Sequence, residues 1–225
     1  MIWTNIIKRA IDIVGAIFGL TLTAPCWIII PILIKLSSPG PIFYTQIRVG
    51  RNRRKEDRRS EQIPETSNRR NRNRRREDYR GRTFKVIKFR TMIHNAEEDS
   101  GPVWATKNDP RVTRVGIFLR LTRLDEIPQF LNILKGDMSL VGPRPERPEF
   151  VEDLSKKIPG YSKRLKVKPG LTGLAQIENG YDSSLSSVVQ KVDFDLEYIK
   201  KKSIWTDIKI IIKTIKVVFT GKGAR

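Results

Sequence analysis

The chain has 225 residues, of which 44 are lysine or arginine and 24 are aspartate or glutamate, so its formal charge is +20. This length fits one domain of moderate size, or one domain with an anchor. The charge predicts an anionic partner, which leaves nucleic acid, anionic lipid and a phosphorylated substrate open. One cysteine, Cys26, excludes an intrachain disulfide and a cysteine-rich zinc site, and one histidine, His94, excludes a multi-histidine metal site.

An uncharged stretch from Ile13 to Ile34 follows an amphipathic N-terminal segment, Met1 to Asp12. At ~1.5 Å per residue, a helix over the uncharged stretch would be about 33 Å long, enough to cross the hydrocarbon core of a membrane. A cleaved signal peptide is excluded because no small-x-small cleavage site ends the stretch. We therefore expect membrane insertion rather than a buried helix of a soluble protein.

Pro25 lies in the middle of the uncharged stretch. A proline there removes a backbone hydrogen bond and bends the helix. Basic residues flank both ends of the stretch, with Lys8 and Arg9 before it and Lys35 after it, and the positive-inside rule keeps such flanks cytoplasmic. Residues 1–36 are therefore predicted to form a re-entrant membrane helix that enters and leaves the same leaflet.

Two segments of different character follow the membrane segment. Ser37 to Arg51 predicts a Pro-Gly turn and then a strand that includes Ile42 to Tyr44. Residues 52–80 are rich in Arg, Asn, Glu and Asp and have almost no large apolar residues, which predicts a flexible basic insert. Its arginine tracts suit contact with RNA or anionic headgroups, and a solvated tether is the alternative.

Arg82 to Met92 has the alternating pattern of a strand. The even spacing of Lys88 and Arg90 places both on one face of that strand, opposite Phe89. Two cations on one face predict a wall that binds a substrate phosphate. A solvated strand face is the alternative.

An adjacent acid pair, Asp125 and Glu126, precedes a helical pattern. Apolar residues recur at spacings of three and four from Leu124 to Leu134. Pro128 is tolerated only in the first turn of a helix, which predicts Asp125 at or near the N-cap, beside unpaired backbone N–H groups. A purely structural cap is the alternative to a catalytic pair.

Arginines surround the acid pair. Arg120 and Arg123 precede it, and Arg144 follows in a stiff Gly-Pro-Arg-Pro turn. An anionic substrate needs cations in order to approach an anionic nucleophile. The combination of carboxylates and guanidiniums therefore indicates phosphate chemistry.

Three helices are predicted in the C-terminal third, over Glu149 to Tyr161, Asp182 to Lys202 and Ile204 to Thr220. The last helix is apolar around most of its surface and has one polar stripe, a pattern that is typical of a helix in a membrane interface. A core-packing helix is the alternative. The stripe consists of Lys202, Thr206, Lys209, Lys213, Lys216 and Thr220.

Five motifs that cover nearly the whole chain resemble those of the monotopic phosphoglycosyl transferases. These bacterial sugar transferases begin glycan assembly on a polyprenol phosphate. The motifs are KRAID at Lys8 to Asp12, SPGPIFYTQIRVGR at Ser38 to Arg51, KFRTM at Lys88 to Met92, LDEIPQFLNILKGDMSLVGPRPE at Leu124 to Glu146, and KPGLTGLAQI at Lys168 to Ile177.

The resemblance implies an α/β, mainly α, monotopic membrane protein. It implies the re-entrant helix over 1–36 and a small cytoplasmic catalytic domain over 37–225, with interfacial amphipathic helices. The expected location is the cytoplasmic face of the bacterial inner membrane. Larger relatives carry additional transmembrane helices and a further domain ahead of this unit, so we expect the minimal form here.

The resemblance also implies a mechanism with a UDP-sugar donor and Mg²⁺. Asp125 would attack the sugar-proximal phosphorus, UMP would leave, and undecaprenyl phosphate would take the phosphosugar from the aspartyl intermediate. Glu126 would be the partner of the nucleophile. Asp125 would also be a Mg²⁺ ligand, and Arg120 and Arg144 would contact phosphates.

This sequence departs from the family pattern at three places. Ala24 precedes Pro25 where the family commonly has serine, Leu174 stands where many members have tryptophan, and the insert at 52–80 is longer than in compact members. Membrane lipids are expected partners and nucleic acid is not. The oligomeric state stays open, with a homodimer among the alternatives, and so does the identity of the sugar.

Two other hypotheses remain. The first is a membrane-tethered module that binds nucleic acid or anionic lipid through the basic loop, in which deletion of 52–80 destroys function and Asp125 is dispensable. The second is an inactive scaffold for glycan assembly. The acid pair and the rigid Gly-Pro-Arg-Pro turn favour the transferase, because charge-driven binding needs neither.

Overall fold

The computed structural model describes residues 2–52, 81–98, 101, 109–178 and 185–220. Helices dominate these residues, together with two small two-stranded sheets. A mainly helical domain with a sheet component is thereby confirmed. The predicted basic insert lies outside the described residues from position 53 to 80, and the predicted division of the chain at residue 36 stays a prediction.

The N-terminal segment forms two helices, α1 (Ile2–Leu22) and α2 (Cys26–Ser37). The chain breaks between them, Pro25 is the N-cap of α2, and the two axes are bent by 61°. Within the described residues no single helix has the length and apolar composition to cross a membrane, although the bent pair has them when taken together. The Thr23 hydroxyl donates to the Gly19 carbonyl at 2.7 Å, next to the position of the missing serine.

The KRAID motif attaches α1 to the rest of the protein. Lys8 forms a 2.6 Å ion pair with Asp207. Arg9 donates to the carbonyls of Ile133 and Leu134 at 2.6 and 2.8 Å. These groups lie at the negative end of a helix, where a cation is favoured.

Asp12 continues this attachment, and small residues on α1 allow close packing. The Asp12 carboxylate, 3% exposed, accepts hydrogen bonds from the Ser139 hydroxyl and the Leu140 N–H. A side chain at Gly15 would collide with Leu140, and one at Gly19 would collide with Phe130. The bent helix pair is therefore packed on the same unit that holds the acid pair.

The first sheet pairs β1 (Phe43–Val49) with β2 (Thr83–Phe89) in antiparallel register, from Phe43 opposite Phe89 to Val49 opposite Thr83. Both predicted strands are confirmed, and β1 extends well beyond Tyr44. Phe84 and Val86 point into a core cluster. Phe89, 1% exposed, stacks on Phe43 at 5.5 Å between ring centroids.

The second sheet pairs β3 (Ser139–Val141) with β4 (Gly170–Thr172) in parallel. Helix α3 (Arg114–Leu121) and helix α4 (Gln129–Lys135) precede β3. The sheet depends on a close backbone approach, because a Cβ at Gly142 would overlap the Lys168 carbonyl oxygen. This approach places the turn after β3 against β4.

The C-terminal part contains α5 (Pro148–Lys157), the short α6 (Leu174–Glu178), α7 (Leu185–Lys201) and α8 (Ile204–Thr220). The three helices predicted here are confirmed. Helices α5 and α7 share a core cluster that contains Val49, Val151, Leu154, Tyr161, Val188 and Val192.

Exposed apolar side chains are concentrated on a few helices. On α8, Ile210 is buried, but Trp205 is 75% and Ile212 is 62% exposed. Helix α8 therefore packs with one face and presents a mixed apolar and lysine face outward. Helices α2 and α3 also expose large apolar residues, namely Ile28, Ile29, Ile32, Leu33, Leu36, Ile117, Phe118 and Leu121.

Candidate active site

A cavity of about 840 Å³ lies between the first sheet, α3, the acid pair and the turn that follows β3. The structure brings every predicted phosphate-site residue to its wall. They are Lys88, Arg90, Arg120, Asp125, Glu126 and Arg144. Residues far apart in sequence thus meet around one space.

The acid pair lies in a short 3-10 turn, Leu124–Glu126, and not at the N-cap of the helix. The N-cap of α4 is Pro128, without a side-chain cap hydrogen bond, so the predicted position of Asp125 was wrong. Arg123, with φ of 60°, reverses the chain after α3. The tight turn that follows directs Asp125 and Glu126 into the cavity, with side chains about 8 and 9% exposed.

Cations face the acid pair from two directions. From β2, the Lys88 ammonium lies 3.0 Å from Glu126 Oε1 and 3.5 Å from Asp125 Oδ2. From the turn after β3, Arg144 donates to Glu126 with Nη2 at 2.5 Å and Nη1 at 3.2 Å. Glu126 is therefore held by more cationic contacts than Asp125.

The two carboxylates differ in proton affinity for this reason. Burial raises the pKa of Asp125, Lys88 opposes that rise, and the charge of Glu126 adds to it. Burial also acts against ionisation of Glu126, but Arg144 and Lys88 outweigh it and hold the pKa of Glu126 well below its usual range. The pKa of Glu126 is thus lowered and that of Asp125 raised, so Asp125 is the member that takes up a proton first.

Arg120 reaches the cavity from the last turn of α3. Its Nε donates to the Thr91 hydroxyl at 2.9 Å. Its Nη atoms make no hydrogen bond within the described ranges, so they can receive an anionic ligand. Gly116 lets α3 lie against the backbone of Thr91, because a Cβ at that position would overlap the Thr91 carbonyl oxygen.

Arg90 differs from Lys88 although both line the cavity. Its guanidinium, on a residue 5% exposed, donates to the Ser38 carbonyl at 2.7 Å and to the Pro39 carbonyl. These contacts fix the turn that follows α2. Contact between Arg90 and a phosphate stays a prediction.

Sequence reasoning missed Glu146 and its partners. Lys191 lies 2.7 Å from Glu146 Oε1, and Arg48 lies 3.4 Å from Oε2. Burial disfavours the charge of Glu146, but Lys191 and Arg48 lower its pKa to about 2. The two cations are more than 140 residues apart in sequence, so no local pattern indicates that they meet.

Asn132 was also missed. On α4, its Oδ1 accepts from the Ile87 N–H at 3.1 Å, and its Nδ2 donates to the Lys85 carbonyl at 2.7 Å. Asn132 therefore connects the helix behind the acid pair to the strand that carries Lys88. A polar residue within the apolar helical pattern was the available signal.

The predicted Mg²⁺ would find few protein ligands at this cavity. In the part of the chain that the structure describes, no group of three or more His, Cys, Asp or Glu residues is arranged around a common point. Mg²⁺ commonly takes one or two protein carboxylates, with water and substrate phosphates as its other ligands. Asp125 at the cavity wall meets that requirement, whereas Glu126 is already engaged by Arg144.

Comparison with known proteins gives the family. The model of the bacterial sugar transferase family matches residues 3–57 and 70–221. The gap between the two matched ranges, 58–69, lies within the predicted insert.

Several curated relatives are similar over nearly the whole chain. A UDP-N-acetylgalactosamine-undecaprenyl-phosphate N-acetylgalactosaminephosphotransferase of Aeromonas hydrophila is 40% identical over 97% of this chain and 45% of its own length. The UDP-glucose:undecaprenyl-phosphate glucose-1-phosphate transferase of Escherichia coli is 42% identical over 98% of this chain and 42% of its own length. The enzyme of the same name from Caulobacter vibrioides is 36% identical over 96% of this chain and 71% of its own length.

The chain spans less than half the length of the first two of these relatives. The match to the family model nevertheless includes both ends of the described fold and the whole acid-pair region. The resemblance inferred from the motifs is thereby confirmed, and the chain belongs to the bacterial sugar transferase family.

Proposed function

We propose that this protein transfers a sugar phosphate from a UDP-sugar to undecaprenyl phosphate, with release of UMP. One observation carries the proposal: the buried carboxylate of Asp125 faces a cavity whose wall also carries Lys88, Arg120 and Arg144. The names of the relatives, which specify UDP-sugars and undecaprenyl phosphate, support the substrate classes. The named sugars differ between relatives, so the sugar is left to experiment.

The transfer has two steps. In the first, an Asp125 carboxylate oxygen bonds to the sugar-proximal phosphorus, and the bond from that phosphorus to the bridging oxygen breaks, so UMP leaves with the electron pair. In the second, a phosphate oxygen of undecaprenyl phosphate attacks the same phosphorus and restores the Asp125 carboxylate. Covalent catalysis replaces one difficult displacement by two easier ones.

The surrounding side chains prepare Asp125 for the first step. Arg144 and Lys88 hold Glu126 ionised and in place. Arg120, whose Nη atoms face no described hydrogen-bond acceptor, contacts a phosphate oxygen of a substrate. When bound through Asp125, Mg²⁺ would neutralise charge on the diphosphate.

We also propose a monotopic arrangement on the cytoplasmic face of the bacterial inner membrane. The bent pair α1 and α2 enters and leaves one leaflet, and the exposed apolar residues of α3 and α8 lie in the interface. The exposure of Phe118, at 54%, and of Trp205 supports this arrangement. Labelling of Met1 from outside intact cells would refute the re-entrant topology.

The decisive experiment uses a panel of UDP-sugars with membrane-embedded protein, with and without undecaprenyl phosphate. We expect UMP release with at least one donor, and a mass increase of one sugar phosphate on protein quenched without acceptor. Asp125→Asn should abolish both, and a fully active Asp125→Asn variant contradicts the proposal. The alternative of a nucleic-acid or lipid-binding module depends on residues 52–80, and nothing in the described site supports it.

A further inference from the structure

The turn that carries Arg144 is held by its carbonyl groups. Pro143 and Pro145 have no backbone N–H, so this segment has few donors of its own. Each of its four successive carbonyls instead accepts a hydrogen bond from another part of the chain. The pairs are Pro143 with Gly170 N at 2.9 Å, Arg144 with Arg164 Nη2 at 3.0 Å, Pro145 with Arg48 Nη1 at 3.2 Å, and Glu146 with Val49 N at 2.9 Å.

The donor to the Arg144 carbonyl is itself fixed by a buried charge. Arg164 Nη2 lies 2.6 Å from Asp195 Oδ2, and both side chains are only 2% exposed. The Tyr161 hydroxyl accepts from Arg164 Nη1 at 2.9 Å. Because Asp195 lies on α7, the ion pair joins this helix to the turn.

A buried ion pair is weak evidence for stability, because desolvation cancels much of the attraction. The pair does, however, hold the Arg164 guanidinium against the turn that carries Arg144. The same Arg164 nitrogen that meets Asp195 also meets the Arg144 carbonyl, and the Arg144 side chain then reaches Glu126. Three contacts of 2.5 to 3.0 Å thus connect Asp195 with the acid pair.

We propose that Asp195 and Arg164 are positioning residues for the transfer reaction, which hold the Arg144 backbone so that its guanidinium stays on Glu126. This inference rests on the proposed function. Neither residue lines the cavity, so neither is expected to touch a substrate. Their effect acts through Arg144.

The test measures the first step alone, as UMP released without acceptor from the donor that is most active with the wild type. Asp195→Asn should lower the rate about 10- to 100-fold, the usual effect of a catalytic group displaced by about 1 Å. In an Arg144→Gln background the same change should have less than about a twofold effect, because a residue that acts through the Arg144 guanidinium then has nothing left to position.

The matched control is Asp207→Asn. Asp207 is also buried, at 5% exposure, and also has an ion pair of 2.6 Å, formed with Lys8. Lys8 donates to a backbone carbonyl as well, that of Val141 on β3. Both variants should melt at a lower temperature, but only for Asp195→Asn should the effect on the rate depend on Arg144.

A second variant covers the case in which Asp195→Asn does not fold. Arg164→Met combined with Asp195→Leu replaces the ion pair by apolar groups, an exchange that is often neutral for stability. It still removes the donor to the Arg144 carbonyl and should show the same slow reaction, with little further effect in the Arg144→Gln background. A folded double variant with the rate of the wild type overturns the inference, as does an Asp195→Asn effect that is equally large with and without Arg144. A wild type that releases no UMP with any donor overturns the proposed function itself.

Discussion

Arg144 and Glu126 form a two-point contact, with Nη2 2.5 Å from Oε1 and Nη1 3.2 Å from Oε2. The contact concentrates positive charge on Glu126 and leaves Asp125 with Lys88 at 3.5 Å as its nearest ion pair. Two adjacent acids thereby acquire different proton affinities. Asp125, the acid whose pKa is raised, is the one proposed to react.

Two substitutions of Arg144 should separate the effect of its positive charge on the rate from the effect of its two-point contact with Glu126. Arg144→Lys keeps the charge but loses the planar two-point contact, so we expect about a tenfold slower release of UMP with little movement of the acid limb. Arg144→Gln also loses the charge and should be about 100-fold slower, with the limb at higher pH. Rates of acceptor-independent UMP release between pH 5 and 9 provide the measurement. Equal effects of the two variants would show that the two-point geometry matters and that the charge alone contributes nothing.

Lys88 should control the ionisation of Asp125. Lys88→Met removes the main cationic influence that lowers the Asp125 pKa, so the nucleophile stays protonated to higher pH. We expect the acid limb of the pH–rate profile to move to higher pH and the rate at pH 7 to fall about tenfold or more. Lys85→Met, at an exposed position on the same strand, is the control and should resemble the wild type. An unmoved acid limb in Lys88→Met contradicts the prediction.

Glu146 should stabilise the fold at neutral pH. Its folded pKa of about 2 is below the ordinary value of about 4.3, so its contribution is fully present above that ordinary value. The contribution is lost as pH falls through the folded pKa. Glu146→Gln should therefore lower the free energy of unfolding at pH 7 by about 3 kcal/mol.

Urea titrations of the Glu146→Gln variant and the wild type in detergent, at pH 7 and at pH 3, provide the check. The difference between the two proteins should shrink at pH 3. Glu149→Gln, at an exposed position with a 3.8 Å ion pair, is the control and should cost little at either pH. A difference that is equally large at both pH values argues against the stabilising charge.

Gly116 should be intolerant of substitution. Alanine there would overlap the Thr91 carbonyl oxygen, so α3 must move away and take Arg120 with it. Overpacking of this kind costs about 1–3 kcal/mol, and we expect slower turnover together with a lower melting temperature. Arg114→Ala, at an exposed position of the same helix, should leave both quantities near wild type. An active and fully stable Gly116→Ala variant would show that the helix has room to adjust.

Local patterns were enough for the strands, the C-terminal helices and the acid pair with its arginines. They failed where several local rules compete. A continuous apolar pattern suggested a helix from Leu124, but the left-handed Arg123 and the proline at 128 produce a 3-10 turn first. The alternation placed Lys88 and Arg90 on one face, and both line the cavity, but it did not indicate that Arg90 also donates to the carbonyls of Ser38 and Pro39.

The remaining site residues depend on tertiary packing. Glu146, Arg164 and Lys191 meet only after β1, the turn and α7 are assembled. A charged residue on an amphipathic helix normally faces water, so the sequence offered no reason to bury Lys191. Their roles follow from coordinates rather than from spacing.

The hydrogen bonds to the carbonyls of the turn that carries Arg144 determine when that turn can form during protein synthesis. The donors to the carbonyls of Pro143 and Arg144 are Gly170 and Arg164, both later in the chain. The nascent polypeptide therefore cannot fix Arg144 until these residues have left the ribosome, although the acid pair emerges well before them. The turn that carries Arg144 is therefore fixed late in synthesis, well after α1 and α2 have emerged.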